Sequence, residues 1–416
     1  MRTPRYDVLV AGGGPGGSTA ALVLARGGAR VALVDKASFP RDKACGDLIG
    51  PRGVALLHDL GLQAASERRV GEMLVVGPRG RRVVLPARAG RTYPDHGVVV
   101  PRHRFDASLR EAAIEAGADP ITGRVRMVRV EDTGAALSLD DGRGLESDVI
   151  IGADGATSVV AEGAGLIDRG AVLWGFAQRG YVEQEVDRPV IALWDEAPGQ
   201  GFPGYAWLFP GLDGLANVGV GLGLGSVRSG ASRAVACFDE IVTHLTRLGL
   251  LGARVDGRRL GGWLKMGIVG TRPARGRVLL VGDAAGMVNP LQGEGIAPAM
   301  ASGRAAADAV LTDPARAAHS YRAWVAANHQ SYLSVAAPVH VASISGSPRR
   351  VSRLGRALTA PGLSRILAGP WALSWNDLRD GAPPGLHAAL AASAHGIARV
   401  ATSRSATRRR LARDLA

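Results

Sequence analysis

Three groups of residues in this chain have types and spacings that could do chemistry. The first is glycine-rich and acidic: Gly12-Gly13-Gly14-Pro15-Gly16-Gly17 with Asp35 downstream, Gly152-Ala153-Asp154-Gly155, and Gly282-Asp283 followed by Gln292-Gly293-Glu294-Gly295-Ile296. Glycine lets backbone approach a ligand closely, and a helix that starts there offers free N–H groups to an anion. The second is the loop Pro40-Arg41-Asp42-Lys43-Ala44-Cys45-Gly46-Asp47, which carries a small ionisable thiol. The third is Tyr205-Ala206-Trp207-Leu208-Phe209-Pro210, whose three aromatic rings alternate onto one face of an extended chain. That face is either the wall of an apolar site or simply the packed side of a sheet.

The elements that must position these residues follow from the apolar pattern. Val8 to Ala11 is a short apolar run that reads as a buried parallel strand. The glycine turn follows at once, then a helical stretch from Ser18 to Ala25, then a second strand from Val31 to Val34, closed by Asp35. This is the whole dinucleotide-binding βαβ pattern. Gly12 makes the tight turn, Gly14 admits a pyrophosphate, Gly17 lets the helix pack on the strand, and Asp35 accepts from a ribose hydroxyl. Pro15, Gly16 and Lys36 flank these positions and complete the candidate set. A glycine-rich turn in an ordinary α/β domain is the bland alternative, and the placement of Asp35 argues against it.

Further along, Pro51 to Leu62 has helical spacing, and Met73 to Leu85 reads as a hairpin of a separate sheet. A helix over Ala107 to Ala116 is stopped by Gly117. Strands around 123–130, 135–139 and 145–151 lead to Asp154. From about 166 to 269 the pattern predicts antiparallel strands over Val172–Val182, Val190–Asp195, Tyr205–Pro210 and Ala216–Leu222, with a helix from Ser232 to Leu248. Val278 to Val281 restores the parallel pattern, and a helix from Ala297 to Leu311 follows the Gly293–Gly295 turn. Beyond Ala315 we expect helices broken at Pro338, Pro348, Pro361, Pro370 and Pro383-Pro384.

The expected fold is α/β. A discontinuous Rossmann-like domain (1–70, 98–165 and 270–335) is interleaved with a mainly antiparallel β domain (71–97 and 166–269), and a helical C-terminal region spans 336–416.

The 416 residues carry a formal net charge of +13, and Lys36, Lys43 and Lys265 are the only lysines. That arginine bias reads as composition rather than a nucleic-acid surface, and no nucleic-acid partner is expected. Cys45 and Cys237 show no metal-ligand spacing and no disulfide framework, so no metal and a reducing cytoplasm are expected. Cys237 reads as core. We find no signal peptide and no apolar run long enough to span a bilayer. The tail over Leu386–Ala401, followed by Arg404, Arg408, Arg409, Arg410 and Arg413, reads either as a basic amphipathic membrane face or as a solvated end.

Taken together, the three glycine–acid motifs resemble the flavoprotein superfamily whose fold is that of p-hydroxybenzoate hydroxylase. The resemblance implies FAD, with Asp283 accepting from a ribityl hydroxyl. It also implies N–H groups near Gly293, Gly295 and Ile296 facing N1 and the C2 oxygen of the isoalloxazine. Arg102 resembles the family's FAD-contacting arginine, and Arg41 either contacts an FAD phosphate or holds its loop. Gly155 and Asp154 either help hold the cofactor region or cap a turn. No second glycine fingerprint for a nicotinamide is present.

Within that superfamily, Pro40-Arg41-Asp42-Lys43-Ala44-Cys45-Gly46-Asp47, Tyr205 to Pro210 and Gly219-Val220-Gly221 resemble the geranylgeranyl reductases. The Arg179-Gly180-Tyr181 strand is similar to the menaquinone reductases of that family. The resemblance implies hydride transfer from reduced flavin N5 to a C=C bond of an isoprenoid chain, such as a menaquinone tail or a geranylgeranyl lipid. Cys45, Gly46, Asp47, Tyr205, Trp207 and Phe209 are then the candidate catalytic residues. The thiol either donates the proton, shapes the pocket, or is a buried structural cysteine. A lipophilic substrate, an electron donor (NAD(P)H or a redox protein) and peripheral contact with the inner face of the cell membrane are the expected partners. The alternative is a flavin-dependent monooxygenase, hydroxylase or epoxidase, acting on a specialised metabolite with O2 and NAD(P)H. A halogenase is disfavoured, because its Trp-x-Trp-x-Ile-Pro string is absent.

Overall fold

The computed structural model describes residues 4–63, 67–87, 89–193, 204–225, 231–345 apart from 253 and 256, scattered positions between 353 and 362, and 386–415. Its first sheet is built outward from strand Arg5–Ala11. This strand pairs in parallel with Val31–Asp35 on one side and Gly144–Gly152 on the other. Val8, Leu9, Val10 and Ala11 are all fully buried, as an inner parallel strand covered on both faces requires. The order across the sheet is Ala274–Arg275, Val278–Leu280, Gly144–Gly152, Arg5–Ala11, Val31–Asp35, Asp119–Thr122. Strands Val125–Glu131 and Gly134–Leu139 extend it as an antiparallel ribbon.

The glycine turn is where this architecture is tightest. Gly12 sits at φ +107, and a Cβ there would stand 2.2 Å from the Ala153 carbonyl oxygen. A Cβ on Gly17 would stand 1.8 Å from the Gly12 carbonyl oxygen, so helix Pro15–Arg26 rests directly on the turn. Helix Ile296–Thr312 packs against it equally closely: a Cβ on Gly303 would be 2.2 Å from the Gly16 carbonyl oxygen. Gly17→Ala should therefore push the helix off the sheet. The expected cost is about 3 kcal/mol, the upper part of the range for overpacking, with loss of cofactor loading. Urea denaturation and the flavin absorbance of the purified variant check both.

The second sheet has the order Leu260–Met266, Leu173–Glu183, Leu215–Gly225, Gly204–Pro210, Val190–Ala192, Glu72–Val76, Arg82–Pro86. Every neighbour pair is antiparallel except Val190–Ala192 with Glu72–Val76. Strand Gly204–Pro210 divides its side chains by alternation. Ala206 and Leu208 join Phe238, Ile241 and Leu245 of helix Ala231–Arg247 in one core. Trp207 and Phe209, with Tyr205 beside them, pack on the other face with Met73, Val75 and Ala177. A small third sheet joins Leu48–Ile49, Gly97–Val99 and Arg68–Val70. It ties the Cys45 loop to the start of helix Arg102–Glu115.

Three edge strands of the two large sheets were not expected from the sequence: Ala274–Arg275, Asp119–Thr122 and Leu260–Met266. Asp119–Thr122 contains Pro120, which an edge position tolerates. Leu260–Met266 begins Leu260-Gly261-Gly262, and its glycines hide the pattern; a Cβ on Gly261 would meet the Phe176 ring at 2.6 Å. One expected break is absent: helix Ser331–Ser345 runs through Pro338. Interior proline costs about 3 kcal/mol, but Tyr332, Leu333, Val335, Ala336 and Ala337 are all buried around it, and burying even two such large side chains offsets that. Pro348, Pro361, Pro370 and Pro383-Pro384 lie outside the described residues, as do Trp194 and Asp195 of the expected strand Val190–Asp195.

The last helix packs against the body, whereas Ile397 and Val400 before it are exposed. In helix Ala406–Leu415, Leu411 and Leu415 enter the main core. Asp414 accepts from the Gly270 N–H at 2.8 Å, and Arg410 pairs with Asp168 and Asp414. Among the described residues no helix is long and apolar enough to cross a membrane.

Candidate active site

A long cleft runs along the ends of the parallel strands. It is lined by Gly12, Gly14, Pro15 and Gly16 from the turn, and by Asp35 and Lys36 from the next strand end. Arg41, Lys43, Asp154, Gly155, Gly282 and Asp283 also line it, with Arg124 and Arg126 on the same wall. Gly14 caps helix Pro15–Arg26 with no side-chain hydrogen bond, and only Arg41 Nη2 comes within 4 Å of a Cβ placed there. The Gly14 end of that helix thus faces open space, and the Gly16 and Gly17 N–H groups have no side-chain cap. Asp35 already anchors the turn, accepting from Gly13 N at 2.7 Å and Ala37 N at 2.8 Å.

Asp154 stands at the cleft but its carboxylate is used as a cap. It accepts from Ser158 Oγ, from Val159 N at 2.7 Å and from Val160 N at 3.1 Å, at the start of helix Val159–Gly163. Burial pushes its carboxyl up and these hydrogen bonds oppose it. Asp283 sits in the turn Gly282–Ala285 that ends strand Val278–Leu280, and pairs with Lys43 Nζ at 3.2 Å. Behind that turn Lys265 is fully buried, and its ammonium has no hydrogen-bond partner among the described residues. Burial pushes it down to about 8.

A second cavity opens where the cleft reaches Pro15, Lys43, Asp283 and Ala299. Cys45, Gly46, Arg102, Tyr205 and Trp207 form one part of its wall. Gly293, Gly295 and Ile296 form another, at the start of helix Ile296–Thr312, whose cap residue Gly295 makes no side-chain bond. Ala177, Leu222, Leu264, Met266 and Val288 make the rest largely apolar.

Candidates that line neither space support it. Gly17 seats the helix. Phe209 lies under Gly46, where a Cβ would meet its ring at 2.8 Å. Asp47, at φ +61, lies behind the thiol loop.

Asp47 joins three elements. It accepts from Tyr181 Oη, from Asn217 Nδ2 at 2.8 Å and from Arg102 N at 3.2 Å. Asn217 Nδ2 also donates to the Cys45 carbonyl at 2.8 Å, while its Oδ1 accepts from Trp207 Nε1 at 2.8 Å. The cavity wall and the thiol loop are therefore one hydrogen-bonded unit. Burial pushes Asp47 up, opposed by the Tyr181 and Asn217 hydrogen bonds. Arg102 is held bidentately by Asp106 at 2.8 and 2.7 Å, and Arg41 shares that carboxylate at 2.9 Å. Burial pushes the Cys45 thiol up, while the Arg102 guanidinium beside it pulls the other way.

Sequence reasoning missed Asn217, a lone amide in the strand Ala216-Asn217-Val218, and His340, a lone imidazole in an apolar helix. In each case the polar residue inside an apolar run was the available signal.

The donor set suits an elongated dinucleotide: an uncapped helix start at one end, an acid on each flanking strand end, and a second uncapped helix start at the far cavity. This fold and site define an FAD-dependent oxidoreductase. An FAD binding domain family matches residues 5–195. The chain is 37% identical over 314 residues to menaquinone reductase of Mycolicibacterium smegmatis, covering 73% of this chain and 76% of that one. It is 32% identical over 322 residues to geranylgeranyl diphosphate reductase of Rhodobacter capsulatus, covering 74% and 75%. A geranylgeranyl bacteriochlorophyll reductase-like protein of Thermoplasma acidophilum superposes with TM-score 0.73 at 25% identity, covering 90% of this chain and 96% of that one. The chain belongs to the geranylgeranyl reductase family, which includes the menaquinone reductases.

Asp283→Ala should loosen FAD. Removing a charged acceptor costs about 1.5–3 kcal/mol, which is roughly 10- to 100-fold in affinity. The flavin-to-protein absorbance ratio after dialysis measures it, and a fully loaded variant would show that Asp283 is no anchor.

Proposed function

We propose that this protein hydrogenates a C=C bond of an isoprenoid chain, in a menaquinone tail or a geranylgeranyl lipid. One observation carries the reading: a half-buried thiol, backed by a guanidinium, on the wall of an apolar cavity that adjoins the cofactor cleft. An isolated alkene needs a hydride at one carbon and a proton at the other. Bound and reduced, FAD supplies the hydride.

The chain supplies the remaining needs. Burial keeps the Cys45 thiol neutral, so it carries a proton at physiological pH. Once that proton is given, Arg102 stabilises the thiolate. The Tyr205 and Trp207 rings, 6.1 Å apart, give the prenyl chain a rigid flank, and the Tyr205 hydroxyl is tied back to the Gln292 carbonyl. Few free polar groups face the cavity, so water finds little to hold it.

The reading extends to partners. NAD(P)H or a redox protein reduces the cofactor. The lipid substrate resides in a bilayer, so the enzyme works in peripheral contact with the inner face of the cell membrane. Exposed Ile397 and Val400, with exposed Arg404, Arg409 and Arg413 near them in sequence, support that contact.

The test uses purified, chemically reduced enzyme without oxygen. A menaquinone or geranylgeranyl lipid should reoxidise the flavin and gain two mass units. Reoxidation by O2 alone, with an oxygenated product, would instead establish a monooxygenase.

A further inference from the structure

The polar side chains on the wall of the Cys45 cavity are Lys43, Cys45, Arg102, Tyr205, Trp207, Asp283 and His340. Lys43 and Asp283 pair with each other, and Arg102 is paired with Asp106. The Tyr205 hydroxyl donates to the Gln292 carbonyl and the Trp207 N–H to Asn217. Cys45 contacts Asp47 N and Arg102. His340 is different. It lies on helix Ser331–Ser345 within Val335-Ala336-Ala337-Pro338-Val339-His340-Val341, and is 6% exposed. Its Nε2 is buried and has no hydrogen-bond partner among the described residues. Leaving such a group unpaired carries a desolvation cost that an apolar residue in the same helix would not.

We propose that His340 is a specificity-determining residue whose unprotonated Nε2 accepts a hydrogen bond from a hydroxyl on the prenyl lipid, selecting prenyl alcohols or quinols over prenyl diphosphates. This rests on the isoprenoid reductase reading. Burial pushes the ring down to about 4, with the Pro290 carbonyl beside it opposing only in part, so the imidazole is uncharged. An unprotonated ring nitrogen suits one hydroxyl. It offers nothing to a diphosphate, and both cations on the wall are already bound to carboxylates. Bringing a dianion into such a wall would cost several kcal/mol without compensation.

The test compares wild type, His340→Phe and His340→Gln as FAD-loaded enzymes. Geranylgeraniol, its diphosphate and a hydrocarbon polyprene of equal length are the probes. Calorimetry on the oxidised enzyme gives Kd, and anaerobic reduction gives KM and kcat. His340→Phe should weaken geranylgeraniol about tenfold in Kd and KM, leave the hydrocarbon unchanged, and leave FAD content unchanged. His340→Gln should recover most of the loss. Equal weakening of alcohol and hydrocarbon would show packing alone and overturn the proposal. So would wild-type preference for the diphosphate. Tight, His340-dependent binding with no lipid reduction would instead overturn the reductase reading and leave the recognition standing.

Discussion

Cys45→Ala should retain FAD and lose two to four orders of magnitude in turnover, the usual worth of a positioned general acid. The retention follows from geometry, since Cys45 lines the second cavity and not the long cleft that holds the glycine turn, Asp35 and Asp283. The loss follows from the chemistry of an isolated alkene, which has no carbonyl to share developing charge. Cys45→Ser should not rescue the activity, because a hydroxyl is a far weaker acid than a thiol even where burial raises the thiol. The pH profile carries a further sign. Turnover needs the protonated thiol, and burial holds that thiol above its usual value. Activity should therefore persist through mildly alkaline pH and fall only as pH passes the raised value. Single-turnover reoxidation of the reduced flavin by the lipid measures all three, and an unchanged rate in Cys45→Ala would remove the thiol from the mechanism.

What the sequence made legible here is local. The Gly12–Gly17 turn, its two strands and Asp35 are contiguous, and the closest contact, that of Gly17 with the Gly12 carbonyl, lies within that unit. The alternation of Tyr205, Trp207 and Phe209 likewise needed only the period of a strand. Contacts between distant segments were not readable. Asn217 bridges Trp207 to the Cys45 loop, 172 residues away in sequence. Nothing in Ala216-Asn217-Val218 says which element it faces. Asp154 shows the converse. A glycine-bracketed acid at a strand end fits both a cofactor contact and a cap, and only the positions of Val159 and Val160 N–H reveal the cap. Pro338 misled because a local rule about helix interiors was outweighed by burial on every side of it.

Asp47 offers the sharpest stability test, because so many donors depend on it. Asp47→Ala strands the Tyr181 hydroxyl, one Asn217 N–H and the Arg102 backbone N–H in a buried site. It also puts alanine at φ +61, a left-handed backbone that aspartate and asparagine adopt more readily. Breaking a buried charged network costs about 3–5 kcal/mol, and turnover should fall with it as the thiol loop shifts. Asp47→Asn should cost less, since asparagine tolerates the left-handed region and keeps one acceptor oxygen. The pH dependence separates charge from shape. Burial raises the Asp47 carboxyl in the folded state, above its unfolded value of about 4. The folded protein then holds a proton that the unfolded chain has released. The resulting stability is fully present below the unfolded value and is lost as pH rises through the folded one. Asp47→Asn has no such proton, so its deficit against wild type should shrink across that window. Urea denaturation of the three proteins between pH 4 and 8 reads this directly. If Asp47→Ala stays within about 1 kcal/mol of wild type, the carboxylate is not what joins the thiol loop to the aromatic wall.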